Sequence, residues 1–409
     1  MTHDQGAASL RPSLTPPEFA SPLAQPFHAA PVPITPATTS PAPVQVPAIA
    51  APRRGRTASI WLVGLLVLVL VALVGYFLNA LGPGASLIGM LLALVPLAGV
   101  VLAVRIVDRW EPEPRGLLAL AVAWGAIAAV GIALGVDLLI TIAIGNDGSP
   151  LREAFSVVVQ APVVEELAKG LGVLIIFATA RRAFDGPVDG IVYGALIGAG
   201  FAFTENIQYF AISFIEGGAA DTTATFFVRG ILSPFAHVMF TSVTGFALGL
   251  AARRGAAVGH AIGPWLLGLA GAIALHALWN GSALFGDFFA LYITLQVPLF
   301  AGFILGIIAL RREESRLTRR RLGEYAGAGW FTPQEVDMLA TSAGRKAALA
   351  WARSLRGDRT GLMKTFIADA TALAATRQRA ITGRDPHAVS DERDLLAKTS
   401  ATRAAMFAP

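Results

Sequence analysis

The chain has 409 residues, of which 55% are hydrophobic and only 14% are charged. Soluble domains carry about 25% charged residues, so this composition indicates a membrane protein. The formal net charge of +5 does not indicate a nucleic-acid partner, because the basic residues fall where a membrane topology places them. The lack of cysteine excludes a disulfide framework, thiol catalysis and cysteine-ligated metal centres.

The N-terminal segment is unusually rich in proline. The first 52 residues contain 12 of the 25 prolines, among many Ala, Ser and Thr residues. Such a segment buries too little apolar surface to offset its ordering entropy, so we predict a disordered cytoplasmic tail over residues 1–58. The basic stretch "PRRGR" (52–56) precedes the first apolar run and indicates a retained anchor rather than a cleaved signal peptide.

Eight apolar runs are long enough to cross a bilayer as helices. They cover residues 59–80, 86–105, 116–144, 156–179, 190–214, 228–251, 261–285 and 288–310. Every second connector is basic, with arginines at positions 53, 54, 56, 105, 109, 115, 181, 182, 253, 254, 311 and 312. Because basic loops stay inside, we predict an all-α, polytopic protein of the cell membrane with both termini in the cytoplasm.

Beyond the last apolar run the chain is polar. The stretch "TPQE" (332–335) is typical of a capping box with proline at the first helical position. We predict one helix from there to about residue 355, a second over 362–381, and no regular structure from "GRDPH" (383–387) onwards. The predicted domains are therefore a tail (1–58), an eight-helix membrane domain (59–312) and a helical cytoplasmic extension (313–409).

Four of the apolar runs contain a polar residue and a partner four positions away, which places both members of each pair on one helix face. The pairs are Glu165 and Lys169, Phe201 and Glu205, His237 and Thr241, and His276 and Asn280, with Glu166 beside the first pair. Counted along the helices from the predicted outer surface, Glu166, Glu205, His237 and His276 all lie about 13–15 Å deep. We therefore expect these side chains to form one layer inside the membrane.

Each polar residue also has a plain structural interpretation. An intramembrane histidine commonly hydrogen-bonds a neighbouring helix, and Glu165 with Lys169 could be a buried ion pair. We assign the solitary residues Asp137 and Gln296 to packing in this way. Two histidines and three carboxylates in one layer would be a costly way to pack helices, so we interpret the cluster as a functional site.

Three kinds of chemistry use these residue types. Two histidines and a glutamate can hold Zn²⁺ while a further glutamate acts as general base. A buried glutamate can also activate water without metal, with His or Asn stabilising the oxyanion. A proton relay in a transporter would use the same side chains. The His-Glu-x-x-His motif is absent, so a metal site would have to be assembled from separate helices.

The polar residues lie within a recognisable series of motifs. In chain order these are "DRWEPEP" (108–114), "EELAK" (165–169), "PVDGIVYG" (187–194), "GFAFTEN" (200–206), the histidine at 237 and "HALWN" (276–280). Over roughly residues 100–310 the chain resembles the PrsW family of intramembrane proteases, within the superfamily that includes the CAAX-prenyl endopeptidases. The resemblance implies hydrolysis of peptide bonds inside the membrane.

The resemblance also implies roles for the clustered residues. It implies catalytic roles for Glu165, Glu166 and Asn280, and metal ligation by Glu205, His237 and His276. Zn²⁺ is the implied metal, although the CAAX-processing relatives support a metal-free glutamate mechanism. Because Lys169 lies one turn from Glu165, we expect Glu165 to be the ion-paired, orienting carboxylate and Glu166 to be the base.

The implied partners are the lipid bilayer and a protein substrate with a single membrane span, such as an anti-sigma factor whose cleavage starts a stress response. The competing interpretations are a proton-coupled transporter and an inactive membrane scaffold. A transporter should show inverted repeats and broken helices near the midplane, and an inactive relative should have lost some of the polar positions. The sequence has no convincing repeat and keeps all of these positions. It leaves the oligomeric state open.

Overall fold

A computed structural model describes residues 56–145, 148–285, 287–383 and 385–407. Within these ranges the regular structure is entirely helical, which confirms the predicted all-α class. All but the last three residues of the predicted disordered tail (1–58) lie outside the described residues.

The helices follow one another with short connectors. In chain order they are α1 Arg56–Ala80, α2 Gly82–Val107, α3 Arg115–Ala123, α4 Val130–Ile144, α5 Pro150–Phe155, α6 Ala161–Thr179, α7 Pro187–Phe226, α8 Ala236–Arg253, α9 Val258–Phe285, α10 Phe288–Leu291, α11 Val297–Gly327, α12 Pro333–Leu339, α13 Ser342–Ser354, α14 Thr360–Thr382 and α15 Ala388–Met406. Short π-helical segments continue several of them, at Trp124–Ala129, Ser156–Gln160, Phe227–Leu232 and Tyr292–Gln296.

Six helical stretches in the described part are long and apolar enough to cross a membrane, so the protein is a multi-pass membrane protein. They are Trp61–Ala80, Gly82–Val107, Arg115–Ile144, Pro187–Arg253, Val258–Leu284 and Phe288–Gly327. Seven of the eight predicted spans coincide with continuous helical structure, and the remaining one, 228–251, is interrupted at residues 233–235. The predicted number of eight is not reproduced. Two separate causes account for the difference.

The first cause is the stretch 215–227, which we predicted to be a connector. Helix α7 instead continues to Phe226, and its direction changes at Gly218, where φ is 63° and ψ is −147°. Glycine adopts this backbone region without steric cost. Two predicted spans therefore merge into one helical stretch, and the break before α8 comes at Ser233, Pro234 and Phe235.

The second cause is the charge carried by the helix that contains the paired glutamates. Helical structure is continuous over α5, the π-helical segment and α6, so its length is sufficient for a span. However, its apolar stretch contains three charged residues, Glu165, Glu166 and Lys169. With these charges it is not apolar enough to count among the six membrane-crossing stretches. The same three charges form part of the candidate active site.

The described residues divide into two compact units. The larger one comprises Leu65–Glu314 with Thr382–Pro386, and the smaller one contains Ser315–Ile381 and His387–Pro409. The predicted domain boundary after residue 312 falls inside α11, which continues without interruption to Gly327.

The smaller unit has a hydrophobic core of its own. Its buried side chains include Leu322, Tyr325, Phe366, Leu373 and Leu396. The predicted capping box is present, since Thr332 accepts from the Glu335 amide and the Glu335 carboxylate accepts from the Thr332 amide. The structure corrects two details: the predicted helix to residue 355 breaks at residues 340–341, and α15 forms where no regular structure was predicted.

Helix α7 lies at the centre of the larger unit. Every residue from Pro187 to Phe201 is buried, as expected for a helix that is apolar on all sides. Its main neighbours are α2 and α8, and α8 in turn packs against α9. The side chains of Pro187–Phe201 are therefore surrounded by other helices rather than by lipid.

Glycines allow α7 and α8 to approach backbone to backbone. A Cβ atom placed on Gly190 would lie 2.0 Å from the Gly245 carbonyl oxygen, and one on Gly198 would lie 2.3 Å from the His237 carbonyl oxygen. Contacts this short exclude any side chain at these positions. Small residues at helix contacts are a common feature of membrane bundles, where they let backbones come close.

The start of α7 is held by acidic side chains. Asp189 accepts from the backbone amides of Gly186, at 2.7 Å, and Asp185, at 3.0 Å. The Tyr193 hydroxyl donates to Glu113, which belongs to the "DRWEPEP" stretch. Burial raises the pKa of Glu113 to about 8. Two of the recognised motifs therefore anchor α7 rather than forming the site itself.

The close contact of α7 with α8 makes a specific prediction about Gly198→Ala. The added methyl group would overlap the His237 carbonyl, and overpacking of this kind costs about 1–3 kcal/mol. We expect a lower midpoint of thermal unfolding for the purified protein in detergent.

Gly99→Ala in α2 is the matched control, because a Cβ atom there has nothing within 4 Å. Equal midpoints for the wild type and Gly198→Ala would show that the two helices are not in backbone contact.

Candidate active site

The polar residues on α6, α7, α8 and α9 converge in the structure, as their positions in the sequence predict. Glu165, Glu166 and Lys169 come from α6, and each contacts a residue of another helix. The structure therefore contains one polar cluster inside the larger unit. The role of each residue as ligand or base stays a prediction.

Lys169 lies at the middle of the cluster and is fully buried. Its Nζ atom is 2.9 Å from Glu166 Oε1, 3.2 Å from Glu165 Oε2 and 3.1 Å from His237 Nδ1. The three N–H bonds of an ammonium group match these three acceptors. The same atom lies 3.7 Å from the centre of the Phe201 ring, within cation–π range.

Glu166 is enclosed on all sides. It accepts hydrogen bonds from Lys169, from the Thr241 hydroxyl at 3.0 Å and from His276 Nδ1 at 3.1 Å. Glu165 is less confined, because 14% of its side chain is exposed. Glu166 therefore has more hydrogen-bond partners than Glu165, and the assignment of Glu165 as the orienting carboxylate and Glu166 as the base stays a prediction.

The two histidines face each other. Their ring centres are 4.9 Å apart at an angle of 85°, and the His276 ring stacks on Phe240 at 5.1 Å. His276 hydrogen-bonds Glu166 through Nδ1. The other ring nitrogen of His276, Nε2, therefore points towards Glu165 Oε2, 3.9 Å away. A histidine held by a carboxylate at one nitrogen presents the other nitrogen for ligation.

The hydrogen bonds of His237 define its tautomer. An ammonium group can only donate, so His237 Nδ1 accepts from Lys169. The other nitrogen, Nε2, lies 2.9 Å from Glu205 Oε2 and therefore carries the proton. Glu205 thus acts on this ring as Glu166 acts on His276.

Glu205 has a second partner that the sequence analysis missed. Arg229 donates through Nη2 to Glu205 at 2.5 Å and through Nε to Asn206 at 2.7 Å, and it lies over the Tyr209 ring at 3.8 Å. Arg229 belongs to the π-helical segment before α8, and such segments are frequent at functional sites. The available signal was an arginine in an otherwise acidic connector.

Asn280, predicted to be catalytic, makes a hydrogen bond to a backbone carbonyl outside the cluster. Its Nδ2 donates to the Val157 carbonyl oxygen at 2.8 Å. Val157 belongs to the π-helical segment that precedes α6, so this bond ties α9 to the helix of the paired glutamates. The assignment of Asn280 to catalysis stays a prediction, and its visible contact is structural.

One group of side chains in the described part has the arrangement of a metal site. Ligand atoms of Glu165, His237 and His276 all lie within 4.8 Å of one another. The predicted ligand set had Glu205 in place of Glu165. Glu205 lies outside this group and is bonded to Arg229 and to His237, and the choice of carboxylate ligand stays a prediction.

The residues assigned to packing have the expected kind of partner. Asp137 accepts from Gln160 at 2.9 Å, and Gln296 donates to the Ser282 hydroxyl at 2.5 Å. These bonds involve none of the clustered residues. Both side chains can therefore serve as controls for the site.

Because Arg229 bonds Glu205, we expect the contributions of these two residues to stability to be coupled. Hydrogen bonds to charged groups contribute about 1.5–3 kcal/mol, so Arg229→Met should lower the stability of the protein and Arg229→Lys should restore only part of it. A double-mutant cycle with Glu205→Gln, followed by thermal unfolding in detergent, measures the coupling. Strictly additive losses of stability in the two single variants would show that Arg229 and Glu205 do not interact.

Comparisons with known proteins found one matching family and two similar curated proteins. Residues 113–303 match the family described as "PrsW family intramembrane metalloprotease". The chain is 31% identical over 144 residues to "Protease PrsW" of Geobacillus kaustophilus (strain HTA426), a match that covers 35% of this chain and 58% of the relative. It is 37% identical over 79 residues to "Protease PrsW" of Bacillus subtilis (strain 168), covering 19% of this chain and 33% of the relative.

The chain thus spans less than two thirds of the length of these curated relatives. No solved structure matches it significantly. The matched segment holds all of the clustered residues, from Glu165 to His276. Over residues 113–303 this chain is similar to the PrsW family of intramembrane metalloproteases.

Proposed function

We propose that the protein is an intramembrane endopeptidase that hydrolyses a peptide bond of a membrane-anchored protein. The observation that carries this proposal is the convergence of a partly exposed carboxylate with two buried or nearly buried imidazoles, inside the segment that matches the family. Water activation by such a set is the chemistry that peptide hydrolysis needs.

We propose Zn²⁺ as the metal and Glu165, His237 and His276 as the residues that hold it. One carboxylate and two imidazoles form a ligand set known from catalytic zinc sites, with a position left for water or substrate. Glu166 and Glu205 each hold one histidine by its other nitrogen, as outer carboxylates do in such sites. When bound, the metal would supply a Lewis acid that polarises the peptide carbonyl and lowers the pKa of water.

The chain's own residues prepare the reaction. Thr241 and Lys169 hold Glu166, which fixes the His276 ring, and Arg229 holds Glu205, which fixes the His237 ring. Glu165 is the carboxylate of α6 that retains exposure, so it can meet a water molecule or a substrate carbonyl.

A metal-free mechanism is the second candidate, and one observation favours it. The Lys169 ammonium already contacts Glu165 and His237, which are two of the proposed ligands. In this mechanism Glu165 would take the proton from water directly, and the neighbouring cation would neutralise the carboxylate pair.

The substrate is proposed to have a single membrane span. A cavity of about 660 Å³ supports this, because it lies between α2, α7 and α11 and is lined mainly by apolar side chains. Its lining includes Val104, Ile191, Val238, Phe300 and Ile304. None of the clustered residues is part of this lining, and Val238, which directly follows His237 in α8, is the lining residue nearest to them in sequence.

The remaining proposals concern orientation and biological role. The alternating basic connectors support cytoplasmic termini and an outward-facing stretch around residues 215–228. With that orientation the cluster would lie in the outer half of the bilayer. Resemblance to the family supports a membrane-anchored anti-sigma factor as the substrate.

The direct test is cleavage of a single-span substrate by purified protein in lipid vesicles. We expect Glu165→Gln and His276→Ala to lower the rate by about 10²–10⁴-fold, the usual cost of removing a group that activates water. Asp137→Asn and Gln296→Ala should keep most of the activity. Normal turnover of both Glu165→Gln and His276→Ala would place the chemistry elsewhere and contradict the proposed function.

A further inference from the structure

The Lys169 ammonium lies among the atoms that would hold the metal. Its Nζ atom is 3.2 Å from Glu165 Oε2 and 3.1 Å from His237 Nδ1, and both residues belong to the proposed ligand set. Zinc bonds to such atoms are about 2.0–2.2 Å long. A metal bonded to both would therefore lie within about 5 Å of the ammonium.

The lone pair of His237 makes these two arrangements mutually exclusive. The ring nitrogen Nδ1 has one lone pair, which accepts from Lys169, while Nε2 carries the proton given to Glu205. His237 can therefore ligate a metal through Nδ1 only after the ammonium has left.

The charges of the cluster also indicate that the ammonium and a metal exclude each other. Three carboxylates and two cations, Lys169 and Arg229, leave one net negative charge when both histidines are neutral. An ammonium group and a divalent ion within about 5 Å of each other repel strongly where little water screens them. Lys169 is fully buried, so screening at its position is weak.

The contacts of Lys169 also show how its ammonium can leave Glu165 and His237 and still have a partner. Its shortest contact is to Glu166 Oε1, at 2.9 Å, and Glu166 is not a member of the proposed ligand group. The ammonium can therefore release Glu165 and His237 and still keep a carboxylate partner.

We propose that the Lys169 ammonium is a tethered cation that occupies this site in the metal-free protein and competes with the metal for it. The inference rests on the proposed metal site. It makes Lys169 a residue that sets metal affinity, and it explains why a lysine is buried beside two glutamates. The ammonium keeps the carboxylates and His237 in place until the metal arrives.

The test is equilibrium zinc binding to the full-length protein in detergent, with a chromophoric chelator as competitor. Lys169→Met removes the competing charge while keeping a side chain of similar length. We expect its zinc dissociation constant to be lower than that of the wild type by about tenfold or more. Arg253→Met is the matched control, because Arg253 pairs with Glu313 and touches none of the clustered residues.

Lys169→Gln is the second variant, in case Lys169→Met fails to fold, because the amide keeps a donor for Glu166 without the charge. It should bind zinc more tightly as well. Unchanged or weaker binding in the folded variant would overturn the competition while leaving the protease proposal standing, since Glu165→Gln tests that proposal by cleavage. Zinc binding by neither the wild type nor a folded variant would overturn both the metal site and the competition.

Discussion

The backbone contact between α7 and α8 is the constraint on which the site depends. Gly190 and Gly198 let the two helices meet without intervening side chains, and Gly198 faces the carbonyl of His237 itself. The histidine is thereby placed within hydrogen-bonding distance of Glu205 on α7. In a bilayer, association of helices depends largely on such close packing, because burial of apolar surface gives little advantage over lipid.

Once the helices are in contact, the charges stabilise one another. A continuous series of contacts runs from Arg229 through Glu205, His237 and Lys169 to Glu166, and Glu166 also holds His276. Each ionised member has an oppositely charged partner, which is what a buried charge requires. The same contacts fix both rings, so the groups that stabilise the charges also orient the reactive ones.

The sequence predicted much of this arrangement because its main signals are local. Spacing of four residues put Glu165 with Lys169 and His276 with Asn280 on common faces, and the structure brings Glu165, Lys169 and His276 together. Helical class and the capping box at Thr332 were predicted correctly for the same reason.

The contacts that the sequence did not reveal join residues far apart in the chain. Residues 215–227 separate two predicted spans, although Gly218 redirects a helix there. The contact of Arg229 with Glu205, 24 positions away in sequence, was not predicted, and the choice between Glu165 and Glu205 as ligand stays a prediction. The carbonyl partner of Asn280 lies in a π-helical segment, a local geometry that periodicity does not reveal.

The central claim is that two histidines and a glutamate from three helices form one metal site. X-ray absorption spectroscopy of the zinc-loaded protein tests this claim most directly. The account predicts nitrogen and oxygen donors at about 2.0–2.2 Å, with scattering from two imidazole rings that falls to one ring in His276→Ala. A zinc spectrum without imidazole scattering, or one that His276→Ala leaves unchanged, would contradict it.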